Sequence, residues 1–150
     1  MNKLNYPNWL VPLDIAQELK EIGFDKPTLF HYYEHDFDIT IETNSYYDEG
    51  EALGYLHFYM SAFKEENFNR DKKCISFPTW EQVFEWFREK GLFHNICIVE
   101  DLIEEVKDFE TEIRDNNGDI ICILHRATYE EAREALVKAI IRTYKSEQLK

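Results

Sequence analysis

A chain of 150 residues with 44% hydrophobic and 31% charged residues has the size and composition of one soluble globular domain. Its 17 basic and 30 acidic residues give a formal charge of −13, which argues against direct binding to nucleic acid or to an anionic membrane surface, because both carry like charge. No apolar run approaches the roughly eighteen residues needed to cross a bilayer, and the N-terminus has no secretion signal, so we expect a cytoplasmic protein with no membrane anchor.

The first predicted element is a short amphipathic helix over residues 12–22. Apolar residues recur at helical spacing from Ile15 to Ile22. Pro12 suits the first turn, and Gly23 is a natural residue just past the last one.

Two segments rich in aromatic and β-branched residues follow, 28–35 and 37–43, and they predict strands joined as a hairpin. His31 and His35 lie in the first of them, about 13 Å apart if the chain is extended, which is too far to bind one metal ion. We therefore expect solvated imidazoles, no metal site and no cofactor. Residues 44–73 carry weak signals and are predicted to be an irregular or variable insert.

A second helix is predicted in the aromatic stretch FPTWEQVFEWFREK, residues 77–90. Thr79 and Gln82 have the spacing of a capping box, and Gly91 ends the helix. Trp86 projects about 110° from the centre of the apolar face. Either Trp86 covers the edge of the core, or it is an exposed anchor for a partner protein. The apolar face itself consists of four residues: Trp80, Val83, Phe84 and Phe87.

The remaining chain predicts a strand over residues 93–100 with a buried centre, a β-hairpin over 109–125, and a last helix. Asn117-Gly118 is the dipeptide of a tight two-residue hairpin turn. The helix begins at a capping box, Thr128-x-x-Glu131, and is predicted to end near Tyr144 before a frayed tail, residues 145–150. Together these elements predict an α+β fold: an antiparallel or mixed sheet of about five strands, with the N-terminal, central and C-terminal helices packed on one face.

Acidic residues are concentrated between residues 100 and 119, which hold nine acidic and two basic residues, a net charge of −7. Such a cluster is either a solvated hairpin edge that discourages edge-to-edge pairing, a docking surface for a basic partner, or an imitation of nucleic-acid phosphates. As a hypothesis, an interaction surface is assigned to eight residues: Trp86, Glu100, Asp101, Glu104, Glu105, Asp108, Glu110 and Glu112.

No catalytic signature accompanies these surfaces. The sequence contains no GxSxG, GxxxxGK[ST] or GxGxxG pattern, so we expect no enzymatic activity. Cys74, Cys97 and Cys122 form no CxxC motif and are expected to be buried free thiols. The alternative from the enzyme class is a small hydrolase or metal-binding protein built on His31, His35 and nearby acids.

Three segments, IAQELKEIGFDKP (15–27), PTWEQVFEWFREKG (78–91) and TYEEAREALVKAI (128–140), resemble a group of uncharacterised small proteins from phages and mobile elements of gut anaerobic bacteria. The resemblance implies a cytoplasmic accessory protein that acts during phage infection or on host machinery, and it assigns no site residues. Our leading hypothesis is a non-enzymatic protein that binds another protein, basic or otherwise, through an acidic, aromatic-edged surface. A DNA-mimicking inhibitor of a nucleic-acid enzyme is the alternative, and the oligomeric state is left open.

Overall fold

The computed structural model describes residues 7–33, 39–41, 65–101 and 106–149, with side chains described at all of these except 33, 39–41, 101 and 106–107. The chain, which the sequence predicts as one domain, divides into two compact units, Met1–Gln82 and Val83–Lys150. The described elements, in chain order, are α1 (Leu13–Glu21), β1 (Phe30–Tyr33), β2 (Ile39–Ile41), a 3₁₀ turn (Phe68–Arg70), β3 (Cys74–Phe77), α2 (Trp80–Glu89), β4 (Phe93–Asp101), β5 (Val106–Arg114), β6 (Ile120–Arg126) and α3 (Tyr129–Gln148).

The strands form two antiparallel sheets, one in each unit. The first unit has the order β2-β1-β3 and the second has the order β4-β5-β6. The α+β class and the three helices are therefore confirmed among the described residues, whereas the single sheet is wrong. Strand pairing joins residues far apart in the chain, and local sequence patterns do not show which strands share a sheet.

In the first unit, α1 packs beside β3 and buries its predicted apolar face. The helix ends as its sequence predicts: Gly23 has a φ of +85°, its N–H donates to the Lys20 carbonyl, and the Phe24 N–H donates to the Leu19 carbonyl at 2.9 Å. β3 itself has no counterpart in the sequence prediction. All four of its residues are buried, so its sequence shows no alternation of apolar and polar residues.

In the second unit, α3 packs mainly across β5 and β6. Its N-terminus is capped as predicted, because the Thr128 hydroxyl accepts from the Glu131 N–H at 3.2 Å. The helix continues to Gln148, four residues beyond its predicted end. β4 lies at one edge of the sheet, and Ile98 in its centre is 59% exposed, so the buried centre predicted for this strand is wrong.

The β5–β6 hairpin is confirmed, but its turn is one residue longer than predicted. The Gly118 N–H donates to the Asp115 carbonyl, and the Asp115 N–H donates to the Asp119 carbonyl, both at 3.0 Å. The Asp115 carboxylate also accepts from the backbone of Asn117 and Asp119. This side chain stabilises a turn that begins at Asp115, and Gly118 takes the positive φ, +84°, at its end.

The Lys20 ammonium ties α1 to the start of β3 and the chain just before it. Its Nζ donates to the carbonyls of Asp71 at 2.8 Å, Lys72 at 3.0 Å and Cys74. We expect Lys20→Met to lower the free energy of unfolding by about 1–2 kcal/mol, because hydrogen bonds from charged donors contribute about 1.5–3 kcal/mol and water replaces part of this at exposed carbonyls. Urea denaturation measures the change.

The matched control is Lys73→Met, which removes an exposed ammonium close to the same segment. Surface substitutions of this kind usually change stability by less than about 0.5 kcal/mol. Equal losses in the two variants would show that the three carbonyl contacts of Lys20 contribute nothing measurable.

Candidate protein-binding surface

The sheet of the second unit has one face against α3 and one face turned away from it. Side chains alternate between the two faces along β5. Thr111 and Ile113 are buried, and the Phe109 ring contacts the Tyr129 ring of α3 at 6.1 Å, so these three mark the helix side. The opposite side, which we term the outer face, is built from eleven residues: Phe93, Asn95, Cys97 and Val99 of β4; Asp108, Glu110, Glu112 and Arg114 of β5; and Ile120, Ile123 and His125 of β6.

Three carboxylates form a column along the middle of the outer face. Asp108, Glu110 and Glu112 follow one another at every second residue of β5, which places them about 6.8 Å apart. β5 pairs with β4 on one side and with β6 on the other, so the column lies in the central strand of the sheet. The interpretation of these acids as a protective hairpin edge is therefore wrong. Because β5 pairs with a strand on each side, its acids do not lie at an edge of the sheet.

Neighbouring side chains, one of them on β5 itself, supply partial charge compensation. Arg114 donates to the Glu112 carboxylate through Nε at 2.9 Å and approaches it through Nη2 at 2.8 Å. His125 Nε2 lies 3.4 Å from the Glu110 carboxylate, and Cys97 Sγ lies 3.9 Å from its other oxygen. The Glu112 and Glu110 side chains are only 17% and 26% exposed, so the cations of a partner would have to take over these hydrogen bonds as they replace the present neighbours.

Apolar side chains flank the carboxylate column on both sides. Phe93 and Val99 of β4 are exposed on one side, and Ile120 and Ile123 of β6 are exposed on the other. Exposed apolar side chains beside the column offer area that a partner can remove from water. The outer face thus combines negative charge in its centre with apolar contact area around it.

Trp86 is not part of this surface. Its side chain is 1% exposed. Its ring centroid lies 5.0 Å from that of Phe87 and 5.3 Å from that of Tyr144 of α3. The interpretation of Trp86 as an exposed anchor is therefore wrong. The indole packs inside the protein, as the alternative of a structural role requires. The half-buried Tyr144 ring of α3 covers the side of α2 that the helical wheel leaves outside the apolar face.

The other predicted acids do not join the outer face. Glu100 is exposed but pairs with Lys107, whose position alternates onto the helix side of β5. Glu104 and Glu105 lie outside the described residues, as does the side chain of Asp101. Of the eight residues proposed from sequence, the outer face contains three: Asp108, Glu110 and Glu112. The four flanking apolar residues were not predicted, because neither β4 (FHNICIVED) nor β6 (IICILHR) alternates apolar and polar residues.

His31 has a different environment from the one predicted. It is 3% exposed rather than solvated, and its ring stacks on Phe68 at 4.2 Å. Both residues line a cavity of about 550 Å³ in the first unit, together with the acidic residues Asp25, Glu65, Glu66 and Asp71. His35 lies outside the described residues. Within the described ranges, no group of three potential ligands could hold a metal ion, and the hydrolase alternative stays a prediction.

The three cysteines are free. Cys74 is buried as predicted, whereas Cys97 and Cys122 are half-buried because they lie on the edge strands β4 and β6 of the sheet. Among the described helices, none is both long and apolar enough to span a bilayer. The chain matches no protein-family model, no curated protein and no solved structure.

Proposed function

We propose that the protein is a non-enzymatic interaction protein whose outer face binds a basic, partly apolar segment of another protein. One observation carries the proposal: a column of three carboxylates, Asp108, Glu110 and Glu112, is flanked on both neighbouring strands by exposed apolar side chains. Complementary charge selects the partner and speeds association, while apolar area removed from water supplies affinity.

The formal charge of −13 supports this choice of partner. A protein of this charge attracts basic surfaces over several ångströms and repels acidic ones. Because the column is solvent-accessible, its attraction is screened by salt, so binding is expected to weaken as ionic strength rises.

The proposal is tested by affinity capture with two immobilised double variants. Glu110→Gln/Glu112→Gln removes two charges from the outer face, and Glu85→Gln/Glu147→Gln removes two from exposed positions on helices. We expect the wild type and the helix variant to retain the same basic protein, and the outer-face variant to bind it about tenfold more weakly, a difference of about 1.4 kcal/mol. Equal retention by both variants would refute a role for the column.

The apolar flank has its own test once a captured protein is purified. Ile123→Thr keeps a β-branched side chain on β6 but removes apolar area from the outer face. We expect it to weaken binding without changing the salt dependence, whereas Glu110→Gln/Glu112→Gln is expected to reduce both. Isothermal titration at two salt concentrations distinguishes the two effects.

A DNA-mimicking inhibitor remains the alternative, favoured by the regular spacing of the three carboxylates. A mimic occupies the nucleic-acid site of its target, so added duplex DNA would displace the captured protein. Under our proposal, the partner is retained when DNA is added at constant ionic strength. This competition separates the two functions in one experiment.

The resemblance of three segments to proteins of phages and mobile elements adds a proposal about the setting. A cytoplasmic accessory protein of that origin would find its basic partner among bacterial host or phage proteins. Capture from a gut anaerobe lysate, with and without phage infection, identifies which of the two supplies it.

A further inference from the structure

β6 presents an unusual edge of the second unit's sheet. Among the described strands, it pairs with β5 alone. An antiparallel ladder uses alternate backbone groups, so the remaining N–H and C=O groups of β6 point away from β5. Soluble proteins commonly protect such an edge with lysine, proline or inward-pointing charge. The segment Ile120–Leu124 has none of these, and its one protective feature is the register shift at Ile120–Ile121.

The side chains of β6 add apolar surface to this edge. Ile120 and Ile121 are exposed, and Ile123 is 45% exposed. The register shift opposite β5 affects only the first residues of the strand, and Cys122–Arg126 keep a regular register. The regular part of the edge is therefore ready to accept another strand.

We propose that β6 pairs antiparallel with β6 of a second copy of this chain, about a two-fold axis near Ile123. The two sheets then form one continuous sheet of six strands, with an α3 helix of each copy on the same side. An isologous contact of this kind brings the same segment of both copies together and closes the assembly at two chains.

Charge favours a second copy at this edge. Asp119 precedes β6 and Arg126 ends it. In an antiparallel pair centred on Ile123, Ile120 and Ile121 together oppose His125 because of the register shift, so Arg126 of one copy lies opposite Asp119 of the other. Opposite charges therefore meet at both ends of the pair. The residues Ile120–Leu124, which lie between them, are uncharged.

Charge repulsion opposes self-association through the outer face. Two outer faces in contact would oppose the carboxylates of Asp108, Glu110 and Glu112 in both copies. The edge contact avoids these groups, because they lie on the central strand. Self-association at β6 is thus compatible with simultaneous binding of a partner on each outer face.

Salt separates this proposal from the function proposed above. Each copy carries a formal charge of −13, so screening reduces the repulsion between copies and is expected to strengthen the dimer. Docking of a basic partner on the outer face is expected to weaken under the same conditions. The dimer at β6 can be absent while the outer face binds its partner, and the reverse, since neither depends on the other.

Sedimentation equilibrium of the full chain tests the dimer. We expect the wild type to be mostly dimeric at about 200 µM, and Ile123→Lys to raise the dissociation constant at least about tenfold, because two lysines then face each other at the axis. The matched control is Ile98→Lys, an exposed residue on the opposite edge strand β4, which is expected to leave the dissociation constant unchanged. Circular dichroism confirms that both variants are folded.

A wild type that sediments as a monomer at about 200 µM, or equal weakening by Ile98→Lys, would overturn the proposal. A charge exchange then tests the register. Arg126→Asp is expected to weaken the dimer, and Asp119→Arg in the same chain is expected to restore it. If the double variant stays as weak as the single one, pairing about Ile123 is wrong.

Discussion

Replacing Trp86 by alanine is expected to lower the free energy of unfolding by about 3–5 kcal/mol, the range found when a large aromatic side chain is removed from a core. Trp86 is 1% exposed and contacts the rings of Phe87 and Tyr144. Its removal leaves a cavity between α2 and α3, and both helices would have to move to fill it. Urea denaturation followed by circular dichroism measures the loss.

Trp9→Ala is the control for this prediction. Trp9 is 40% exposed, and its ring centroid lies 5.2 Å from that of Phe30. An aromatic pair contributes about 0.5–1.5 kcal/mol beyond its buried area, so we expect a loss of about 1 kcal/mol. If Trp86→Ala proved no more costly than Trp9→Ala, the packing of Trp86 would be wrong and its role as an exposed anchor would return.

Gly91→Ala is expected to cost about 2–3 kcal/mol through two separate effects. Gly91 ends α2 with a φ of +84°, a conformation that costs an L-residue about 1–2 kcal/mol. A Cβ atom at this position would also lie 2.3 Å from the Asn116 side-chain amide, in the β5–β6 turn. Asn116 is exposed and its amide can rotate away, so the second effect adds only about 1 kcal/mol of lost packing.

Gly23→Ala isolates the conformational part of this cost. Gly23 ends α1 with a φ of +85°, and a Cβ atom there would meet nothing within 4 Å. We expect Gly23→Ala to cost about 1–2 kcal/mol. In the double variant Gly91→Ala/Asn116→Ala, we expect the additional cost of Gly91→Ala to disappear. An additive double variant would show that Asn116 and Gly91 do not interact.

Features that depend on a few neighbouring residues were predictable from the sequence. The capping box of α2 forms with both of its hydrogen bonds, from the Gln82 N–H to Thr79 Oγ1 at 3.3 Å and from the Thr79 N–H to Gln82 Oε1 at 2.9 Å. The glycine that follows each of the first two helices has the expected positive φ. These arrangements are local, so residue type and spacing determine them.

The environment of Trp86 could not be predicted in the same way. A helical wheel orders the side chains of α2 around one axis, and it identified the four residues of the apolar face correctly. Burial of Trp86 depends on Tyr144, which is 58 positions further along the chain on another helix. A second packing partner of this kind leaves no trace in the local pattern.

The candidate surface was predicted in part for a related reason. Alternation along residues 109–114 showed that Glu110 and Glu112 share a side of the strand. It did not show that β5 is the central strand, because this depends on its pairing with β4. The acids consequently appeared to protect an edge, whereas they occupy the middle of the outer face.

The distribution of tryptophan makes the two compact units separately observable. Trp9 and Trp80 belong to Met1–Gln82, whereas Trp86 is the single tryptophan of Val83–Lys150. A Trp9→Phe/Trp80→Phe chain would therefore fluoresce from Trp86 alone, with emission at short wavelength while the indole is shielded from water. Its red shift would report the opening of the second unit, and comparison with circular dichroism in the same titration would show whether the units unfold in one step or in two.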